Sequence, residues 1–324
     1  MNYSIAIRTL GKGGEKYSKL LKSIQNLKDR PDEVIVVLPF GYSPPKELLG
    51  DERFVYCEKG MMMQRIVGYE SACSEYVLLV DDDVEFEPDF IRKVSMPIQE
   101  GKADITFPIY PDMLPRKGVR TLIPALTLSA VPMLRRDMYT KVIASGGWAY
   151  CGVPEQIDKP VQAHSAPGTC LYAKREALLK ADLRKELWVE LPKYALWDDM
   201  VMFYKAWLSG SKVMGVPNLI FEHLDAGGGN VNRSVEASYA SGMNHVIFWY
   251  RFVYQQRKSS VAKLVAIAAF IYWMVTSSMY NLLNAIFRKK GKEFKAFING
   301  LIDGYGFIKK KEPFSNVEKS LREL

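Results

Sequence analysis

The sequence predicts an α/β fold, Rossmann-like, with a mostly parallel central sheet flanked by helices, and three observations carry that expectation. Residues 3–7, 33–38 and 76–80 read as strands, and the last is a run without polar alternation, as expected of a strand covered on both faces. Segments with apolar residues at helical spacing, 17–27 and 60–75, separate them, and this βα rhythm implies right-handed crossovers. The third run, in YVLLVDDDVEFEPDF, leads straight into Asp81, Asp82 and Asp83. Ligands of such sheets bind beyond the carboxyl ends of the strands, so these aspartates stand where chemistry would occur.

Composition sets the outer bounds. A chain of 324 residues with 48% hydrophobic and 25% charged residues can bury a full core, which excludes disordered and collagen-like classes. The charge is unevenly placed. Residues 257–324 carry thirteen Lys and Arg against five Asp and Glu, while residues 1–256 balance at thirty-one of each. The excess of +8 thus lies in the tail, pointing to an anionic surface as its partner. The aromatic residues nearby favour lipid over nucleic acid. Cys57, Cys73, Cys151 and Cys170 show neither metal-ligand spacing nor a disulfide framework, which fits a reducing cytosol. The N-terminus lacks the charged and apolar regions of an export signal.

In chain order, the first strand ends at Arg8 and Thr9 and gives way to a glycine-containing turn. Gly11, Gly13 and Gly14 do not complete a dinucleotide fingerprint, because no acidic residue closes the second strand. Residues 54–57 suit a short third strand, and the 60–75 helix places Gln64 and Arg65 on one turn. Three adjacent carboxylates stay ionised together only with a cation or many donors among them. Mg²⁺ or Mn²⁺ is the simplest answer; it completes its shell with water and substrate phosphates. Beyond the aspartates a helix starts at residues 88–94 and a strand spans 104–109. Residues 110–165 read as one long, proline-rich, irregular stretch facing the substrate. His164 ends it as a structural histidine, and Gly168 and Thr169 precede a strand and a helix opened by Lys174.

Trp197, Asp198 and Asp199 open a helix whose apolar face carries Met202, Phe203, Ala206 and Trp207. Two carboxylates after a tryptophan exceed what an N-terminal cap requires. A strand at 212–216 follows, then 219–224 with His223, a residue type suited to Mn²⁺, then Asp225 and a loop at Gly227 to Gly229.

These residues resemble the family-2 inverting glycosyltransferases of the GT-A fold. The matching segments are the strand with Arg8 and Thr9, QRIVGYESA with VLLVDDDVEFEPDF, PGTCLYAKREAL, and WDDMVMFYKAWLSG followed by His223. The likeness covers about residues 1–255 and is nearest to bacterial galactofuranosyl- and rhamnosyltransferases of surface polysaccharide assembly, whose ending AFINGLIDGYGF resembles. It implies a nucleotide-diphosphate sugar donor, UDP- or dTDP-linked, and a glycan or lipid-linked acceptor. By the same resemblance Arg8, Thr9, Arg65, Asp81 and Asp82 hold the donor, and Asp81, Asp83 and His223 hold Mn²⁺ or Mg²⁺. Asp199 is then the catalytic base, and Trp197, Asp198, Gly168 and Thr169 meet the acceptor. Two departures stand out. The second strand, EVIVVLPFGY, lacks the acidic residue that many members place against the nucleotide, and MNHVIFWYR keeps Asn244 without its arginine neighbour. A sugar nucleotidyltransferase and a catalytically silent binding scaffold are the competing readings. GKGGEK is a poor phosphate-cradling loop for the first of these.

The chain divides at 255/256 into a transferase domain, 1–255, and a basic, apolar helical extension, 256–324. Residues 264–287 carry no formal charge between Lys263 and Arg288. Their second half is amphipathic, with Met279, Leu282, Leu283, Ile286 and Phe287 on one stripe and Ser277, Ser278, Asn281 and Asn284 opposite. Phe294, Phe297, Ile298, Leu301 and Ile302 form a second stripe. The pattern suits helices lying at the cytoplasmic face of the cell membrane; a single span and packing within a homo-oligomer are the alternatives.

Overall fold

The computed structural model describes residues 2–110, 114, 115, 118, 121–192, 194, 196–224, 234–311, 313–315 and 317. The predicted first strands form: β1 (Tyr3–Arg8), β2 (Glu33–Pro39), β3 (Arg53–Cys57) and β4 (Tyr76–Asp81), with α1 (Glu15–Gln25) and α2 (Met61–Ser71) between them. They are mutually parallel in the spatial order β3-β2-β1-β4. Val77 and Leu79 face the α2 layer, while Leu78 and Val80 face the layer of α1 and α3 (Phe90–Gln99). That two-sided burial explains the unbroken apolar run. Each such side chain contributes about 1.5–3 kcal/mol.

The far half of the sheet departs from the parallel expectation. β6 (Ile105–Pro108) and β12 (Val213–Val216) are parallel, but β11 (Cys170–Lys174) runs antiparallel between β4 and β6, and β10 (Val161–Gln162) closes the edge antiparallel to β12. The result is a mixed eight-stranded sheet. A buried strand reads alike in either direction, so composition gave no warning of the reversal. The turn after β1 packs on its neighbours, the Gly14 N–H donating to Glu47 Oε1 at 3.1 Å.

Residues 110–165 are not the irregular stretch expected. They contain α4 (Leu122–Leu126) and a small sheet of β7 (Ala130–Met133), β8 (Thr140–Val142) and β9 (Trp148–Cys151). Strands of three or four residues are too short to show a period, and Pro132 masks one of them. His164 is structural: it accepts from the Val142 N–H at 3.2 Å and packs on Trp207, and burial lowers its pKa to about 4.

After α5 (Arg175–Ala181) and a 3₁₀ segment (Leu183–Glu190) comes α6 (Asp198–Leu208), opened by Trp197 in the left-handed region at φ 81°. A two-stranded ribbon of β5 (Val84–Phe86) and β13 (Phe221–His223) stands at the carboxyl edge of the main sheet. Asp225 and Gly227 to Gly229 lie outside the described residues.

The C-terminal region is helical: α7 (Ser234–Phe248) with a π-helical continuation (Trp249–Tyr254), α8 (Ser260–Phe287) and α9 (Gly291–Ile308). α9 lies on α7 at backbone distance. A Cβ added at Gly242 would stand 2.4 Å from Phe297 O, one at Gly300 2.2 Å from Tyr239 O, and one at Gly304 2.8 Å from Met243 O. α8 is long and apolar enough to cross a membrane by length and composition, with a mean hydropathy of 1.6. Ala266 and Trp273 pack inward, but its C-terminal part is inside out. Ser277 is buried, whereas Met279, Ile286 and Phe287 are 59%, 62% and 79% exposed. The second stripe splits instead, Phe297 and Leu301 turning inward and Ile302 outward.

Candidate active site

Parallel pairing of β1 and β4 sets Arg8 opposite Asp81 at the carboxyl edge. The guanidinium grips the carboxylate with both ends, Nε to Oδ1 at 2.9 Å and Nη2 to Oδ2 at 2.6 Å. Arg65, buried on α2, reaches the same Oδ1 at 3.3 Å and forms a second ion pair with Asp198. Burial alone would raise the Asp81 pKa, but Arg8 and Arg65 hold it below the usual carboxylate range. Thr9 donates to Asp82 Oδ2 at 2.5 Å, and burial raises Asp82. Gln64 ties the strand ends together, donating to Thr9 O at 2.8 Å and Val37 O at 2.9 Å.

Both oxygens of Asp81 are thus engaged by arginines. Asp198 is buried against Arg65 and is not among the residues lining the cavity described below.

The atoms that fit a cation lie next door. The β5–β13 ribbon sets His223 opposite Val84, and the Leu224 N–H donates to Asp83 O at 2.8 Å. His223 Nε2 then stands 3.2 Å from Asp83 Oδ2, and Asp83 Oδ1 is buried without a hydrogen-bond partner among the described residues. Adjacent ligands of an octahedral ion with bonds of about 2.1 Å are about 3 Å apart, so the spacing suits one. Among the described residues no cluster of three or more His, Cys, Asp or Glu could hold a metal. One carboxylate beside an imidazole differs from the all-oxygen shell usual for Mg²⁺ and suits a transition ion better.

Asp199 lines a cavity of about 430 Å³ with Trp197, Ser165, Ala166, Pro167 and Tyr139. Burial first, then the charge of Asp198, pushes its pKa up to about 7. The Met200 N–H donates to its Oδ1 at 2.7 Å. Gly168 is wedged behind it: an added Cβ would lie 2.9 Å from Arg65 Nη2 and 3.1 Å from Asp199 Cβ. Thr169 accepts from the Asp81 N–H at 2.9 Å. The cavity wall in this segment is therefore Ser165 to Pro167, with Gly168 and Thr169 beneath it, one step from where the sequence pointed.

Two acidic residues escaped sequence reasoning. Glu190 accepts the Met62 and Met63 N–H groups at the start of α2, at 2.5 and 3.1 Å, and burial raises its pKa to about 7. Glu186, fully buried, binds Trp188 Nε1 at 2.8 Å, Lys205 at 2.9 Å and Arg251 at 3.0 Å. Single acids in a 3₁₀ run carry no spacing signature.

The fold is glycosyltransferase-like. Staphylococcus aureus TarS, residues 1–349, superposes with a TM-score of 0.53 at 13% identity, covering 99% of this chain and 83% of that one. Its complex with UDP-GlcNAc gives 0.51 at 15%, covering 99% and 84%. GalNAc-T7 with UDP, GalNAc and Mn²⁺ gives 0.49 at 13%; this chain is matched over 85% of its length and spans 56% of that one. No protein-family model and no curated protein sequence matches the chain.

Proposed function

We propose that the chain is a metal-dependent, inverting glycosyltransferase of the family-2 type, with its transferase core at 1–255. The observation that carries the reading is Asp199: a carboxylate with a pKa near 7 in a cavity, joined through Asp198 and Arg65 to Asp81 at the sheet edge. A general base works best when its pKa lies near the working pH. Asp199 takes the proton from the acceptor hydroxyl, which displaces the nucleoside diphosphate from the opposite face of the donor sugar. One base suffices for direct displacement, with inversion at the transferred carbon.

Arg8, Thr9, Asp81 and Asp82 form the floor on which the nucleotide rests, and Arg65 links that floor to the α6 N-terminus. Asp83 and His223 are the residues that would hold Mn²⁺ or Mg²⁺, which when bound neutralises charge developing on the leaving diphosphate. The UDP-GlcNAc bound by TarS supports a UDP- or dTDP-sugar as donor. The acceptor is a glycan or lipid-linked glycan of a bacterial surface polysaccharide. The exposed apolar face of α8, flanked by Lys263, Arg288, Lys289 and Lys290, favours a peripheral position on the cytoplasmic face of an anionic membrane.

The test is nucleoside-diphosphate release from a panel of nucleotide sugars with lipid extract as acceptor, in Mn²⁺, Mg²⁺ or chelator. Metal-dependent release from one donor, absent in Asp199→Asn, is the expected result. Unchanged release in that variant removes Asp199 as base; absence of both binding and turnover of every donor leaves the scaffold reading in its place.

A further inference from the structure

The Asp199 cavity does not end at Trp197. A second cavity, of about 640 Å³, lies against it and shares Pro124, Ser129 and Trp197 with it. Its other walls come from the inward face of α8, through Trp273, Ser277, Tyr280 and Asn281, and from Ser241 and His245 of α7. At the junction Trp273 Nε1 donates to Ser129 Oγ at 3.1 Å, and Ser129 Oγ lies 2.9 Å from Thr127 Oγ1. The indole of Trp273 stacks on His245, which burial keeps neutral by lowering its pKa to about 3. Arg288 also lines it and is its one ionised lining residue among the described residues.

The lining is selective in kind. A helix normally turns its apolar stripe inward, yet the C-terminal part of α8 turns hydroxyls, an amide and two aromatic rings toward this space and leaves Met279, Leu282, Leu283, Ile286 and Phe287 exposed. Ile123, Pro124 and Phe297 add apolar surface, so the space as a whole is amphipathic. Hydroxyl and amide groups offer both donors and acceptors, and indole and phenol faces offer apolar area beside them; together they match a sugar ring, polar at its edge and apolar on its C–H face. Each cavity falls in the size range of small-molecule sites, and they meet at Trp197.

We propose that the second cavity is an extended acceptor subsite, so that the acceptor is an oligosaccharide. Its reacting sugar sits by Asp199, and the next residues pass Trp197 and Ser129 into the space between α8 and the 127–129 segment. This rests on the reading of Asp199 as the base that serves the acceptor.

The experiment uses a ladder from mono- to hexasaccharide, made by partial acid hydrolysis of the source cell's surface polysaccharide. It is titrated by calorimetry into the full chain in detergent, without donor. The expected result is affinity that rises at least tenfold from mono- to trisaccharide. Ser277→Trp, which fills the cavity, and Tyr280→Ala, which removes a wall, should each cut that ratio at least fivefold; thermal melts identify any variant that has not folded, and Tyr280→Ala stands in if Ser277→Trp fails. Equal affinity at all lengths, no binding of any member, or a ratio that survives the folded variants overturns the subsite. Nucleoside-diphosphate release is measured separately. Ladder binding with this length dependence but no donor turnover leaves the subsite standing and removes the transferase reading.

Discussion

Arg65 and Asp198 form a buried ion pair that bolts the middle of α2 to the first turn of α6. The same guanidinium reaches Asp81, so one arginine holds two carboxylates that belong to opposite sides of the site. Removing it strips the buried Asp198 of its ion-pair partner while Asp81 keeps Arg8, and an uncompensated buried charge costs about 3–5 kcal/mol. Arg65→Met should therefore lower the urea midpoint strongly, and adding Asp198→Asn should recover a substantial part. A double-mutant cycle by urea titration measures the coupling; additive effects would show the pair to be independent.

Asp199→Asn should stabilise the protein while abolishing transfer. A carboxyl whose folded pKa is raised to about 7 binds more protons folded than unfolded between roughly pH 4 and 7. The linkage sign then makes its contribution to stability fall as pH rises through that window. An uncharged amide escapes this penalty at pH 8, so the thermal midpoint there should rise by a few degrees, and the gain should shrink at pH 5. The activity prediction runs the other way: kcat/KM of the parent rises with pH through about 7, as the base loses its proton.

Much of this was legible in the sequence because it depends on strand ends. Tyr76–Asp81 announces itself as an apolar run, and a parallel neighbour ending in Arg8 must bring that residue to the same edge. Which aspartate meets which partner was not legible. Arg65 belongs to a helix whose rotation on the sheet decides whether it faces solvent or Asp81, and an arginine prior favours solvent. The sheet of β7 to β9 was invisible for want of length, and Glu190 because one acid before a leucine looks like any other.

Metal binding should be separable from chemistry. Asp83→Asn and His223→Ala are each expected to weaken Mn²⁺ binding in the presence of UDP by at least the roughly 10–100-fold that loss of an outer-shell partner costs, read by electron paramagnetic resonance of free Mn²⁺. Asp81→Asn should instead act through its arginines, lowering the melting temperature with a smaller change in Mn²⁺ affinity. Equal Mn²⁺ losses in all three variants would make Asp81 a ligand as well.

The close approach of α7 and α9 predicts a local failure. Gly300→Leu places a side chain where Tyr239 O already stands, so α9 must lift from α7. Proteolysis is expected to clip the chain near residues 255–260 in this variant while the eight-stranded sheet remains protected, as mass spectrometry of the fragments would show.

Vesicle binding tests the outer face of α8. Leu283→Glu with Ile286→Glu should abolish co-sedimentation with anionic vesicles and leave donor turnover in detergent unchanged. Retained sedimentation would assign the attachment to another part of the surface.

The inside-out order of α8 makes stability a property of two phases. Water leaves Met279, Ile286 and Phe287 uncovered, and any amphiphile or second copy that covers them adds its own binding free energy to the folded state by mass action. A melting temperature for this chain is then a function of how much covering material is present, with no single value in plain buffer. Its slope against the logarithm of free detergent concentration counts the molecules that complete the fold.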